Sequence, residues 1–122
     1  MLSNRYHQAI PLLEKAITQK NDFSHLHLNL AICYRKTGYP NKSIEYFNSA
    51  LAINPKLHGA YYNRSIVYSR LGEYEKSNTD LEQLANSSDP EAELFFIELT
   101  FFLENGFERN STKPFGIVEK IS

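Results

Sequence analysis

His27-Leu28-Asn29-Leu30-Ala31-Ile32-Cys33-Tyr34-Arg35-Lys36-Thr37-Gly38 decides the fold, because a related stretch follows it 34 residues later. That second stretch reads Tyr61-Tyr62-Asn63-Arg64-Ser65-Ile66-Val67-Tyr68-Ser69-Arg70-Leu71-Gly72. Leu26, Leu30, Cys33 and Tyr34 recur at helical spacing, and Gly38 stands where a helix ends in a left-handed turn. Outward from these stretches the same offset relates Gly72 to Gly106, Tyr68 to Phe102, and Asn29 to Asn63. It also relates Ala9, Ser43 and Ser77; Leu13, Phe47 and Leu81; Ala16, Ala50 and Leu84; and Tyr6, Pro40 and Tyr74. A fixed period of this length, in matching chemical classes, is the mark of a repeat architecture.

Each period holds two helices. After Gly38, Pro40 occupies a first-turn position, and Ile44, Phe47, Ala50, Leu51 and Ile53 form a second apolar stripe. Asn54-Pro55 closes that helix, since proline disfavours helical geometry in the residue before it. The next period predicts helices over about 58–71 and 73–86. Asp89-Pro90 then starts a third helix of the first type, which reaches Gly106.

A 34-residue helix-turn-helix unit resembles the tetratricopeptide repeat. The better copy reads His27-x2-Leu30-Ala31-x2-Tyr34, then Ser43-x3-Phe47 and Pro55. The second reads Tyr61-x2-Arg64-Ser65-x2-Tyr68, then Ser77-x3-Leu81, with Pro90 one place late. Upstream stands a second-type helix with Ala9, Leu13 and Ala16; downstream stands Phe95-x2-Glu98-Leu99-x2-Phe102. Arg64 and Glu98 take places where the pattern wants leucine, and Leu99 takes a small-residue place, where it is expected to push its neighbour away. The expected organisation is a half repeat over 4–22, repeats over 24–57 and 58–91, and a first-type helix with a capping or irregular tail over 92–122. The resemblance implies an all-α, right-handed α-solenoid of antiparallel helix pairs.

Composition excludes several functions. Thirteen Lys+Arg against fourteen Asp+Glu give a formal charge of -1, which rules out a strongly basic nucleic-acid surface. One cysteine, Cys33, excludes an internal disulfide framework. No glycine-rich phosphate loop or nucleophile elbow occurs, and the four histidines form no pair at ligand spacing, so no enzyme, cofactor or metal is expected. The N-terminus runs straight into polar sequence and the longest apolar stretch, Phe95 to Leu103, contains Glu98, so a cytoplasmic protein without a membrane span is expected.

By the same resemblance, first-type helices line a concave groove. That places Leu28, Asn29, Arg35 and Lys36 on it, followed by Tyr62, Asn63 and Arg70, and then Phe96. An asparagine amide both donates and accepts, so Asn29 and Asn63 suit the backbone of an extended peptide; the alternative is a pair of asparagines on a polar helix face. Leu28, Tyr62, Ile32, Ile66 and Phe96 offer apolar anchors, with core burial the alternative for the two isoleucines. Some family members grip chaperone C-termini with two asparagines and several cations. Leu28 and Ile32 stand at two of that clamp's places, and Glu93 and Ile97 where further cations belong, so chaperone docking is not expected.

Residues 1–88 hold ten cations and seven carboxylates, a formal +3, and residues 89–122 hold three and seven, a formal -4. Such asymmetry orients a partner of mixed charge. The expected function is a non-catalytic protein–protein interaction scaffold. Its alternatives are a docking part of a larger protein, including an enzyme, and an array that associates with itself through uncapped ends.

Overall fold

The computed structural model describes residues 2–106, and these form six α-helices with no strand among them. They are α1 (Leu2–Gln19), α2 (Ser24–Lys36), α3 (Pro40–Ile53), α4 (His58–Arg70), α5 (Tyr74–Ala85) and α6 (Pro90–Gly106). The stops of α2, α3 and α4 and the starts of α3 and α6 fall where the glycine, proline and Asx signals lie. The tail from residue 107, expected to be capping or irregular, lies outside the described residues.

The two repeat glycines do the same work. Gly38 and Gly72 have φ of 89° and 80°, in the left-handed region that penalises any residue with a Cβ. Behind each, the chain folds back on the last helical turn. The Tyr39 amide donates to the Tyr34 carbonyl at 2.9 Å and the Gly38 amide to Arg35 at 3.4 Å. In the next copy the Glu73 amide donates to Tyr68 at 2.8 Å and the Gly72 amide to Ser69 at 3.1 Å. Both are the paired bonds of a Schellman stop, which satisfy carbonyls that the helix end would leave open.

The other boundaries follow from single residues. Pro40 is the first residue of α3, where its missing N–H costs nothing. Asn54 is extended ahead of Pro55 and ends α3, and its side-chain oxygen accepts from the Lys56 amide at 3.1 Å. Asp89 caps α6 by accepting from the Glu91 amide at 2.9 Å. Helix α1 carries Pro11 in its interior, which removes the bond that this position would donate to the carbonyl of His7.

The described residues divide into two compact units, one up to Ala60 and one from Tyr61, with the boundary inside the first turn of α4. In the first unit α2 packs against both α1 and α3. Leu30 and Ala31 of α2, with Ser43, Phe47 and Ala50 of α3, are fully buried. Removing the Phe47 side chain from water contributes about 1.5–3 kcal/mol. The Tyr34 hydroxyl donates to the Glu14 carboxylate at 2.6 Å, tying α2 to α1, and its ring stacks on Tyr46 at 5.8 Å.

In the second unit the core is Ile66, Leu81, Leu84, Ala92, Leu99 and Leu103, flanked by Tyr61, Tyr62, Tyr74, Phe95, Phe96 and Phe102. Ile66 is therefore a core residue, the alternative that the sequence left open for it. Leu99, large where the repeat pattern is small, lies fully buried in this cluster.

Candidate functional site: two cavities and a closed helix pair

Equivalent second-type helices meet different surroundings. On α5, Ser77 is fully buried: its hydroxyl lies 2.8 Å from that of Ser65 and donates to the Ser65 carbonyl at 3.0 Å. The Ser65 hydroxyl is 2.9 Å from the Ser77 carbonyl in return. Leu81, one turn on, is also fully buried. On α1 the matching residues are Ala9 and Leu13, and both are only half-buried. They line an open cavity of about 480 Å³ with Arg5, Tyr6, Leu12, Asn29, Ile32 and Cys33. This is about three times the ~150 Å³ that holds a benzene ring in an apolar protein cavity. Its walls are mainly apolar, with Arg5 and Asn29 as polar handles, the mix that suits binding of an apolar side chain.

A second cavity, about 630 Å³, is lined by Tyr62, Ile97, Glu98, Phe101, Phe102 and Asn105. Tyr62 meets Phe95 with ring centres 5.1 Å apart, and the Arg70 guanidinium lies 5.4 Å from the centre of the Phe102 ring.

The residues expected to bind are therefore spread over both units. Asn29 is exposed and lines the first cavity; Tyr62 is half-buried and lines the second. Lys36 and Arg70 are exposed, and Arg35 and Phe96 half-buried. Arg35, Lys36 and Arg70 all fall in last helical turns, where a cation also favours the negative end of the helix dipole. Leu28 and Asn63 are each 9% exposed and offer little surface.

The sequence reading took Arg64 as a lapse from the repeat pattern and missed its partner. Arg64 reaches Asp80 with Nη2 at 2.6 Å and Nε at 2.9 Å, a forked pair on a carboxylate that is almost wholly buried. The guanidinium also lies 5.7 Å from the ring centres of both Tyr61 and Tyr68. Burial pushes the Asp80 carboxyl above its ordinary range, and the Arg64 hydrogen bonds pull it part of the way back. Burial opposes the Arg64 charge, but Asp80 holds that guanidinium above its ordinary value. The findable signal was a cation at an apolar place in one helix with a carboxylate 16 residues on, beside the core position Leu81.

Two buried groups on α2, Cys33 at the wall of the first cavity and Tyr34, are held in their neutral forms. Burial pushes the Cys33 thiol up, and burial together with the bond to Glu14 pushes the Tyr34 hydroxyl well above its usual value. Among the described residues no three His, Cys, Asp or Glu come together to hold a metal ion, and no helix is long and apolar enough to cross a membrane.

Helix pairs repeated at a 34-residue period, with α2 and α4 each stopped by a left-handed glycine, define a helix-hairpin repeat protein. Two tetratricopeptide repeat profiles match the chain, one over residues 1–56 and one over 58–88, and the chain belongs to that family. Solved tetratricopeptide domains share its fold. The second such domain of human RPAP3, in complex with the HSP70 peptide SGPTIEEVD, superposes with a TM-score of 0.66 at 18% identity, over 79% of this chain and 82% of that one. The Sgt2 domain of Aspergillus fumigatus gives 0.64 at 19% identity, over 93% and 78%. Among curated proteins, the Photosystem I assembly protein Ycf3 of Cyanophora paradoxa is 29% identical over 97 residues, 80% of this chain and 49% of that protein. The Prochlorococcus marinus protein of the same name is 33% identical over 90 residues, 74% and 50%. The chain spans about half the length of these relatives.

Proposed function

We propose that the chain is a non-catalytic protein-interaction module that captures an apolar helix or an extended segment of a partner protein. The observation that carries this is the open cavity on α1 and α2, an apolar slot with the Asn29 amide at its wall. Exposed and half-buried members of the expected set, Asn29, Arg35 and Lys36 in one unit and Tyr62, Arg70 and Phe96 in the other, supply contacts, and the nearly buried Leu28 and Asn63 add little surface. The reading does not extend to chaperone C-termini, because Leu28, Ile32, Glu93 and Ile97 replace the groups such a clamp uses. Affinity capture with the wild-type chain and with Asn29→Ala and Leu12→Glu tests it. Partner proteins held by the wild type and lost by both variants support the reading; an unchanged set contradicts it.

A narrower role is favoured by the curated relatives, whose names describe photosystem I assembly. In that role the module holds a partner while the complex is built, a task that needs binding surface and no chemistry. Photosystem I content in cells lacking the chain tests this: a fall supports an assembly role, and unchanged content contradicts it.

A further inference from the structure

The exposed apolar residues of the two units differ in the charge around them. On α6, Leu94, Ile97 and Phe101 are all more than half exposed. Their spacing of three and then four residues sets them in one stripe along the helix. Glu91 and Glu98 fall on the same stripe, and α6 as a whole carries Glu91, Glu93, Glu98 and Glu104 with no Lys or Arg. Arg70, stacked on Phe102, offsets part of that charge.

The first cavity is the opposite. Over residues 2–36 there are Arg5, Lys15, Lys20, Arg35 and Lys36 against Glu14 and Asp22, a formal +3. Glu14 is already engaged by the Tyr34 hydroxyl. Arg5 lines the cavity itself, beside Ala9, Leu12, Leu13 and Ile32. An acidic apolar helix edge and a basic apolar slot are therefore present on one chain.

We propose that a second copy of this chain occupies the α1/α2 cavity, laying the Leu94–Ile97–Phe101 stripe of its α6 into the slot with Glu98 toward Arg5. Anchors at this spacing are how an amphipathic helix seats in an apolar groove. The charge match favours this occupant over α6 pairing with α6, which would set four carboxylates against four. The contact is heterologous: each copy gives a stripe and receives one, so association continues until a ring closes. The inference rests on reading the cavity as a helix-binding slot, and it names one occupant.

Sedimentation velocity of the full chain, from micromolar to near-millimolar concentration, tests it. Leu12→Glu and Phe101→Lys change side chains that are 71% and 69% exposed, so both variants keep the wild-type helical circular dichroism. The wild type is expected to grow in mass with concentration, less so at high salt, while each variant stays monomeric. An equimolar mixture of the two variants re-forms one intact contact and stops at a dimer. Should either first variant lose helix, Arg5→Glu and Glu98→Arg form a second pair. Each alone is expected to stay monomeric, and their mixture to associate beyond a dimer, because both the native and the charge-swapped contact pair opposite charges. A wild type that is monomeric throughout, variants that associate like the wild type, or a mixture that stays monomeric overturns the proposal. Partner capture by the Phe101→Lys chain reports separately on the cavity, so failure of self-association is distinguishable from failure of the functional reading.

Discussion

Helices α1 and α5 carry the same face in sequence and differ in what covers it. Ala9 and Leu13 stand where Ser77 and Leu81 stand, 68 residues apart in numbering. On α5 that face is closed twice over, by interlocked serine hydroxyls and by the Arg64–Asp80 pair. On α1 it opens into a cavity. A second-type helix is half of a core, and its apolar residues are buried or open according to how fully the neighbouring helices cover them. Open apolar surface on α1 thus comes from the same register positions that on α5 build the interior.

The largest effect expected from breaking this contrast is on the closed side. Asp80→Ala leaves the Arg64 charge without its partner and is expected to cost about 3–5 kcal/mol, nearer the lower figure because part of Arg64 reaches water. Replacing both residues by leucine is expected to restore most of that loss, since an apolar pair of similar volume is often as stable as a buried ion pair. Urea unfolding of the three chains measures both. A loss for Asp80→Ala that the double variant does not recover shows that the pair does more than neutralise itself.

Next comes the turn that stops α4. Gly72→Ala forces a Cβ into the left-handed region and is expected to cost about 1–2 kcal/mol by thermal unfolding. Gly38→Ala is expected to match it, because the two stops share one geometry. Unequal losses would show that the repeats end their first helices differently in solution.

Ser77→Ala is smaller, about 1 kcal/mol for the hydrogen bonds it removes. Its counterpart Ala9→Ser is expected to stay within about 0.5 kcal/mol, because position 9 is only half-buried and borders an open cavity where a hydroxyl can be hydrated. Least in energy is the reaction of Cys33 with a thiol reagent. Its raised pKa leaves less thiolate at any given pH than a free cysteine has, so labelling should be slow and still climbing above pH 9.0. A rate that levels off below that value contradicts a buried thiol at the cavity wall.

Much of the fold was readable because repetition amplifies weak signals. Gly38 and Gly72 each say little, but at one offset, with Tyr34 and Tyr68 ahead of them, they fix the helix ends. The proline in α1 carried no such repetition, and the helix runs through it. Site residues were harder to read, for a physical reason. Exposure depends on neighbours far along the chain, so Asn29 and Asn63 share a register, yet one is exposed and the other buried. Asp80 stayed hidden for the same reason. A carboxylate on an amphipathic helix reads as a solvated residue until the guanidinium facing it is known.

The open-versus-closed contrast is tested most directly by one pair of unfolding free energies, Leu13→Ala against Leu81→Ala. Leu81 is fully buried and its truncation leaves a hole, so a loss of about 2–5 kcal/mol is expected. Leu13 borders the cavity and is half-buried, so its truncation is expected to cost about 1 kcal/mol or less in dilute monomeric protein. Equal losses would mean that the α1 face is covered in solution, and that the cavity assigned to partner binding is closed.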